Sequence, residues 1–214
     1  MEIKNFLSSQ FSSPCIIEAG IADGTDTLEL SELFPSGFIY GFEPIPELFY
    51  KSKEKLKNKK NVSIFNLAIS DKTGISNMYV SNYLGEKSHS SSLLKPMEHL
   101  NFHHLVKFDE VIEVKTINLD EFIDKNKIKT IDLLWLDLQG YEPFILKSSS
   151  QTISITKFIF CEVMMINLYD NCILYDEFNN LMNSLGFYKI WDELSENTTK
   201  VDAINCLYKN KNII

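Results

Sequence analysis

The sequence contains no arginine: all 21 of its basic residues are lysine. The planar two-pronged donor that grips phosphate and carboxylate groups is therefore missing. With 29 acidic residues the formal net charge is -8, which weighs against a nucleic-acid partner, because such binding rests largely on neutralising phosphates. Cysteine is scarce, and Cys15, Cys161, Cys172 and Cys206 form no CxxC pair. Nothing in their spacing suggests zinc or a dithiol redox motif, and reduced thiols, buried for Cys15 and Cys161, are expected. The 8 glycines and 6 prolines are too few for a collagen-like or low-complexity chain. No apolar run approaches the roughly 20 residues that span a bilayer, and Met1 to Gln10 lacks the pattern of a secretory signal. The expectation is a soluble, cytoplasmic protein with no membrane span.

What is present is ordinary globular material, 44% hydrophobic and 23% charged, enough for a core. One α/β sheet can absorb all 214 residues, so a single domain over 1–214 is expected. The short apolar run Cys15–Ala19 reads as a buried parallel strand. A helix follows from Thr25 to Phe34, then a strand over Phe38–Phe42, a helix over Pro46–Leu56 and a strand over Val62–Ile69, which gives a βαβαβ alternation. Ile75–Ser81 reads as a strand able to pair as a hairpin. Residues 82–110 hold no sustained period but carry all four histidines, His89, His99, His103 and His104, beside Ser90–Ser92. A loop this long is commonly functional or mobile, and it is taken as a lid or substrate loop. Strands are expected at Val111–Ile117, Ile131–Leu138 and Thr156–Val163. Helices are expected at Asn118–Lys125, Pro143–Lys147 and Leu174–Leu185. Phe187–Trp191 and Val201–Tyr208, with no helix between them, read as a closing antiparallel hairpin.

In a doubly wound sheet a ligand sits beyond the carboxyl ends of the strands. Strand one ends in EAGIADG, Glu18 to Gly24, a turn where glycine lets backbone N–H groups approach a ligand. The dinucleotide fingerprint GxGxxG fails, because Glu18 and Asp23 occupy glycine positions. An acid there suits an amino group, such as the aminoacyl end of S-adenosylmethionine. Glu43 ends strand two, 23 residues after Gly20, where a carboxylate can accept from both ribose hydroxyls, or simply favour the helix start that follows. Ala68 and Asp71 lie where an adenine would, although a turn aspartate serves Asp71 equally well. Asp137 ends a nearly all-apolar strand and Glu162 holds a similar place on the next. Buried acids of this kind are paired, bonded or metal-bound, and two near one another share a proton or hold a divalent cation.

These blocks together resemble the FkbM-type methyltransferases, S-adenosylmethionine enzymes of class I that mostly O-methylate sugars and other natural-product hydroxyls. The resemblance is carried by IEAGIADGTDT at Ile17–Thr27, GFEP at Gly41–Pro44, NLAISDKTG at Asn66–Gly74, SSSL at Ser90–Leu93 and IDLLWLDLQGYE at Ile131–Glu142. Order and spacing hold across residues 15–190. It implies a Rossmann-like doubly wound sheet, mostly parallel, with a C-terminal antiparallel hairpin. By position it implies that Glu18, Gly20 and Thr27 serve the methionine end of S-adenosylmethionine, Glu43 the ribose, Ala68 and Asp71 the adenine, with Asp137 near the transferring methyl. The chain departs from the pattern at Ala22, where asparagine is usual, at Asp23, where an apolar residue is usual, and at Gln139, where glutamate is usual.

The expected function is O-methylation of a sugar, glycan or glycosylated metabolite, and the alternative is a degenerate member of the fold that binds without transferring. A hydroxyl must lose its proton as the new bond forms. Asp137 is the first candidate base, with or without a divalent metal shared with Glu162, and His89, which can titrate near neutral pH, is the second. His99 and His103, four apart, could place two metal ligands on one helix face. Tyr83, Phe102, Tyr141, Tyr169 and Trp191 are candidate faces for sugar rings.

Overall fold

A computed structural model describes residues 3–194 and 201–213. The elements run α1 (Ile3–Gln10), β1 (Cys15–Ala19), α2 (Thr25–Leu33), β2 (Phe38–Phe42), α3 (Pro46–Leu56), β3 (Val62–Phe65), β4 (Ala68–Ile69), β5 (Gly74–Tyr83) and β6 (Glu86–Lys87). Then come α4 (His99–Phe102), β7 (Val106–Ile117), α5 (Leu119–Asn126), β8 (Ile131–Leu136), α6 (Glu142–Ser148), α7 (Ser150–Ser154), β9 (Thr156–Met164), α8 (Tyr175–Ser184), β10 (Phe187–Asp192) and β11 (Ala203–Asn210).

Seven strands form the main sheet in the order β10-β11-β9-β8-β1-β2-β3. The pairs from β9 through β3 are parallel, and β11 lies antiparallel to both β9 and β10. The expected α/β class, mostly parallel with an antiparallel closing hairpin, is what the chain adopts. Its centre follows from composition: Ile16, Ile17, Ala19, Leu133, Leu134 and Leu136 are fully buried, as strands covered on both faces must be. One face packs Phe122, Ile123, Ile145, Ile159 and Phe178, the other Leu7, Leu30, Phe34 and Phe158. β1 runs between β8 and β2, so Glu18, Glu43 and Asp137 come to one end of the sheet.

Four strands form a second sheet, β4-β7-β5-β6, and here the sequence reading needs correction. Val62–Ile69 is not one strand. Asn66 Nδ2 donates to the carbonyls of Glu43 and Pro44, each at 2.9 Å, which ends β3 in the main sheet and lets Ala68–Ile69 join β7 in the other. Residues 82–110 are not wholly irregular either, since they contain β6, α4 and the first part of β7. That part is mostly exposed, so no buried period marks it. The helices α1 and α7 were not expected from the sequence. Among the described residues no helix is long and apolar enough to cross a membrane. All four cysteines are free thiols.

Candidate active site

The site begins where β1 ends. Gly20 takes φ +89°, and a Cβ there would lie 2.0 Å from the carbonyl oxygen of Asp137. Only glycine lets the turn after β1 rest against the end of β8. The N–H groups of Gly20 and Ile21 both donate to the Phe42 carbonyl, at 3.0 and 3.1 Å, which fixes the turn over β2. Beyond it, Lys55 Nζ donates to Asp23 at 2.6 Å. Burial opposes ionisation of Asp23, but Lys55 and Thr25 outweigh it and hold the carboxyl down at about 2. Asp23, at a position the resemblance leaves in doubt, thus anchors the loop to α3.

Glu18 is 1% exposed, and neither its Oε2 nor Thr27 Oγ1 has a hydrogen-bond partner. Burial pushes Glu18 up to about 8, partly opposed by the nearby Thr27 hydroxyl. A buried carboxyl oxygen without a donor is costly, and an incoming ammonium would satisfy it. Glu43 differs, because its Oε2 accepts from Ala22 N–H at 2.9 Å and its Oε1 from Ile45 N–H at 2.8 Å. Burial still lifts it to about 8 against those two amides. Each oxygen keeps a second lone pair for a hydroxyl.

A cleft with about 570 Å³ of empty space, open solvent included, is lined by Gly20, Glu43, Ala68, Ser91, His89 and Asp137, with Leu48, Met78 and Tyr141 among its other walls. Of the residues singled out from the sequence, Gly20, Glu43, Ala68, Asp137, His89 and Tyr141 meet here. Glu18 and Thr27 are buried and outside the lining, and Glu162, also outside it, is linked to Asp137 by Gln139. Asp71 is exposed and outside the lining, and its Oδ1 accepts from Tyr141 Oη at 2.8 Å and Ser70 Oγ at 3.0 Å. It reaches the cleft only through Tyr141.

β8 and β9 are parallel neighbours, which brings Asp137 and Glu162 to one end as expected. Gln139 Nε2 stands between them, donating to Asp137 Oδ1 at 2.9 Å and to Glu162 Oε2 at 2.8 Å. Burial raises both carboxyls. Gln139 and His89 partly offset this for Asp137, and the charge of Asp137 adds to it for Glu162. Gln139 Oε1 lies 2.9 Å from Tyr169 Oη, which is also 2.7 Å from the Ser90 carbonyl. Buried Glu142 accepts from Leu138 N–H at 2.7 Å, and burial lifts it to about 8.

The other histidines lie elsewhere. His99 is buried, its ring 4.6 Å from His103 and 5.0 Å from Phe108, and burial pulls it down to about 4. His103 pairs with Asp202. Among the described residues no three His, Cys, Asp or Glu side chains converge as metal ligands. Tyr169 is fully buried and offers no face to a sugar, while the half-buried Trp191 stacks towards Phe160 and lies outside the cleft lining. Tyr141 lines the cleft and stacks on Phe144, and Tyr83 and Phe102 are exposed. Sequence reading missed the bridging role of Gln139, because a glutamine after an aspartate carries no signal of which side chains will flank it.

Comparison with known proteins agrees with this architecture. Residues 18–188 match the methyltransferase FkbM domain. The 2-O-methyltransferase NoeI of Sinorhizobium fredii (strain NBRC 101917 / NGR234) is 31% identical over 160 residues, a match covering 73% of this chain and 66% of that protein, just under two thirds of its length. Among solved structures, the Methanococcus jannaschii fibrillarin pre-rRNA processing protein has a TM-score of 0.57 at 12% identity, over 93% of this chain and 67% of that one. The magnesium protoporphyrin IX methyltransferase ChlM of Synechocystis PCC 6803, solved with bound S-adenosylmethionine, has a TM-score of 0.56 at 8% identity, over 97% and 76%. These two likenesses bear on the fold alone, and it is the fold of class I methyltransferases. By its match over most of its length, the chain belongs to the FkbM methyltransferase family.

Proposed function

We propose that the protein is an S-adenosylmethionine-dependent O-methyltransferase acting on a hydroxyl of a sugar, glycan or glycosylated metabolite, in the cytoplasm. One observation carries the reading: a single cleft joins Gly20, Glu43 and Ala68 to Asp137 and His89. The residues fit the cofactor. The partnerless Glu18 oxygen suits the methionine ammonium, the glycine turn leaves room for backbone approach, Glu43 faces the ribose, and Ala68 and Met78 flank the base. When bound, S-adenosylmethionine supplies an electrophilic methyl group.

The chain's own contribution is positioning and proton removal. Asp137, at the tip of β8, accepts the proton of the acceptor hydroxyl, and His89 on the lid side is the alternative base. Burial raises the affinity of Asp137 for a proton above that of an ordinary aspartate, which favours its taking one from a hydroxyl. The apolar walls, Leu48, Met78 and Leu93, keep water from competing for the methyl. The name of the NoeI relative supports transfer to oxygen, and the acidic, arginine-free surface supports a small-molecule or glycan acceptor over a nucleic acid.

Calorimetric titration with S-adenosylhomocysteine and with NAD tests the cofactor. Binding of the former alone is expected, and binding of NAD alone would remove the assignment. Acceptors are then screened by the mass gain of one methyl group, and a chain that binds the cofactor yet methylates none of a broad glycan panel would favour the degenerate reading.

A further inference from the structure

Gln139 is built into its place more firmly than a loop glutamine needs to be. Its φ is +53°, a left-handed conformation that a side chain adopts at a cost. Gly140 follows at φ +90°. The Gln139 carbonyl accepts from Ser92 Oγ at 2.9 Å. This backbone turns the side chain back between the ends of β8 and β9. There both amide hydrogens are used, one on Asp137 Oδ1 and one on Glu162 Oε2, while the amide oxygen lies 2.9 Å from Tyr169 Oη, whose one hydrogen the Ser90 carbonyl shares.

A divalent cation bridging the same two carboxylates would sit about 2.0 to 2.6 Å from an oxygen of each. Nε2 stands 2.9 and 2.8 Å from those oxygens, so the bridging position is taken by a neutral donor. The charged and titratable groups acting on the pair are Glu18, Glu43, Glu142, Asp26 and Asp202, the buried Cys161 and Tyr169, and His89 on the lid. Of these only His89 can carry a positive charge, so the amide hydrogens are the main positive counterpart that the pair has. No hydrogen bond among the described residues uses Asp137 Oδ2.

We propose that Gln139 is a positioning residue that takes the place of a divalent cation between Asp137 and Glu162, leaving Asp137 Oδ2 for the acceptor hydroxyl. The proposal rests on Asp137 being the base. It follows that a carboxylate at position 139 would put three acids around one point, and this set would need a cation.

The test is titration of Mn²⁺, followed by calorimetry and by its electron paramagnetic resonance signal, into protein saturated with S-adenosylhomocysteine. The unaltered chain is expected to show no saturable site. Gln139→Glu is expected to gain one site at least tenfold tighter than any binding by the unaltered chain, and the further change Glu162→Gln is expected to abolish it. Thermal melting is the second readout: Gln139→Glu should melt lower than the unaltered chain at pH 8 and recover with Mn²⁺. A saturable Mn²⁺ site in the unaltered chain that Glu162→Gln removes would overturn the proposal, as would a folded Gln139→Glu that gains no site. If Gln139→Glu folds neither with nor without Mn²⁺, the unaltered chain and its Glu162→Gln variant decide alone. Failure of all variants to bind S-adenosylhomocysteine would count against the proposed function, whereas a cation site in the unaltered chain would count against Gln139 only.

Discussion

Glu43 holds the N–H of Ala22 at 2.9 Å, tying the tip of β2 to the loop after β1. The same carboxylate accepts from Ile45 at 2.8 Å, so one side chain shapes both loops bordering the cleft. Ala22 sits at φ +46°, a strained conformation that this bond helps to hold.

Glu43→Gln therefore sets an amide N–H₂ against one of two backbone N–H groups. Losing a buried hydrogen bond costs about 0.5–1.5 kcal/mol, and affinity for S-adenosylhomocysteine should fall by up to about tenfold. Calorimetry on Glu43→Gln and Glu43→Ala measures this. Affinity unchanged in both would remove Glu43 from the ribose site.

Asp137→Asn keeps the shape of the β8 tip but takes away the proton acceptor. S-adenosylhomocysteine should bind within a fewfold of the unaltered chain, while turnover falls by roughly 10²–10⁴. The reverse pattern, weak cofactor binding with turnover intact, would assign Asp137 to binding and leave His89 as the base.

Gly20→Ala drives a methyl group to 2.0 Å from the Asp137 carbonyl oxygen, whereas a Cβ at Gly85, φ +91°, meets nothing within 4 Å. Both substitutions carry left-handed backbone strain, so their difference isolates the clash. Gly85→Ala should cost about 1 kcal/mol and Gly20→Ala at least about 2 kcal/mol more. At roughly 2–4 °C per kcal/mol for a chain of this size, the gap is readable in Tm. Equal melting points would mean that the β1 turn is free to move.

Glu18, Glu43 and Glu142 are each lifted by burial to about 8 from an ordinary value of 4.5. A carboxyl raised on folding contributes its full stability below its unfolded value and loses it as pH climbs to the folded one. The free protein should therefore melt progressively lower between about pH 4.5 and 8. The ammonium of S-adenosylhomocysteine favours ionised Glu18, so the Tm gain from ligand should widen over that window. A flat profile in free protein, or a ligand gain that shrinks with pH, would contradict the buried-acid account.

Much of this frame was legible because buried parallel strands and proline-started helices announce themselves. Cys15–Ala19 and Pro46–Leu56 begin and end where apolar runs, glycine and proline place them, and the strand-end acids Glu18, Glu43 and Asp137 stand out where charge is expensive. Less visible was whatever depends on a partner distant in sequence. The break at Asn66 comes from carbonyls of Glu43 and Pro44, and the early start of β7 comes from pairing Val106 with Tyr83 on a surface too exposed to leave a pattern. Asp71 reads as an adenine contact or a turn aspartate, and nothing in the sequence shows that Tyr141, 70 residues on, donates to it. Gln139 gave no hint of the two acids on either side of it, one of them 23 residues away.

The turn at Leu84–Gly85 sits at the far end of the second sheet, with Leu84 74% exposed and open space around Gly85. Ser88 and His89, a few residues later, belong to the cleft wall and also to a shallow surface hollow with Tyr83 and Leu84. Lengthening or rewriting that tip would reshape the entrance while β1, β2 and β8 kept their register. Such an arrangement separates an unchanging engine from an exchangeable mouthpiece, so new acceptors can be explored by evolution or by grafting without rebuilding what lies beneath.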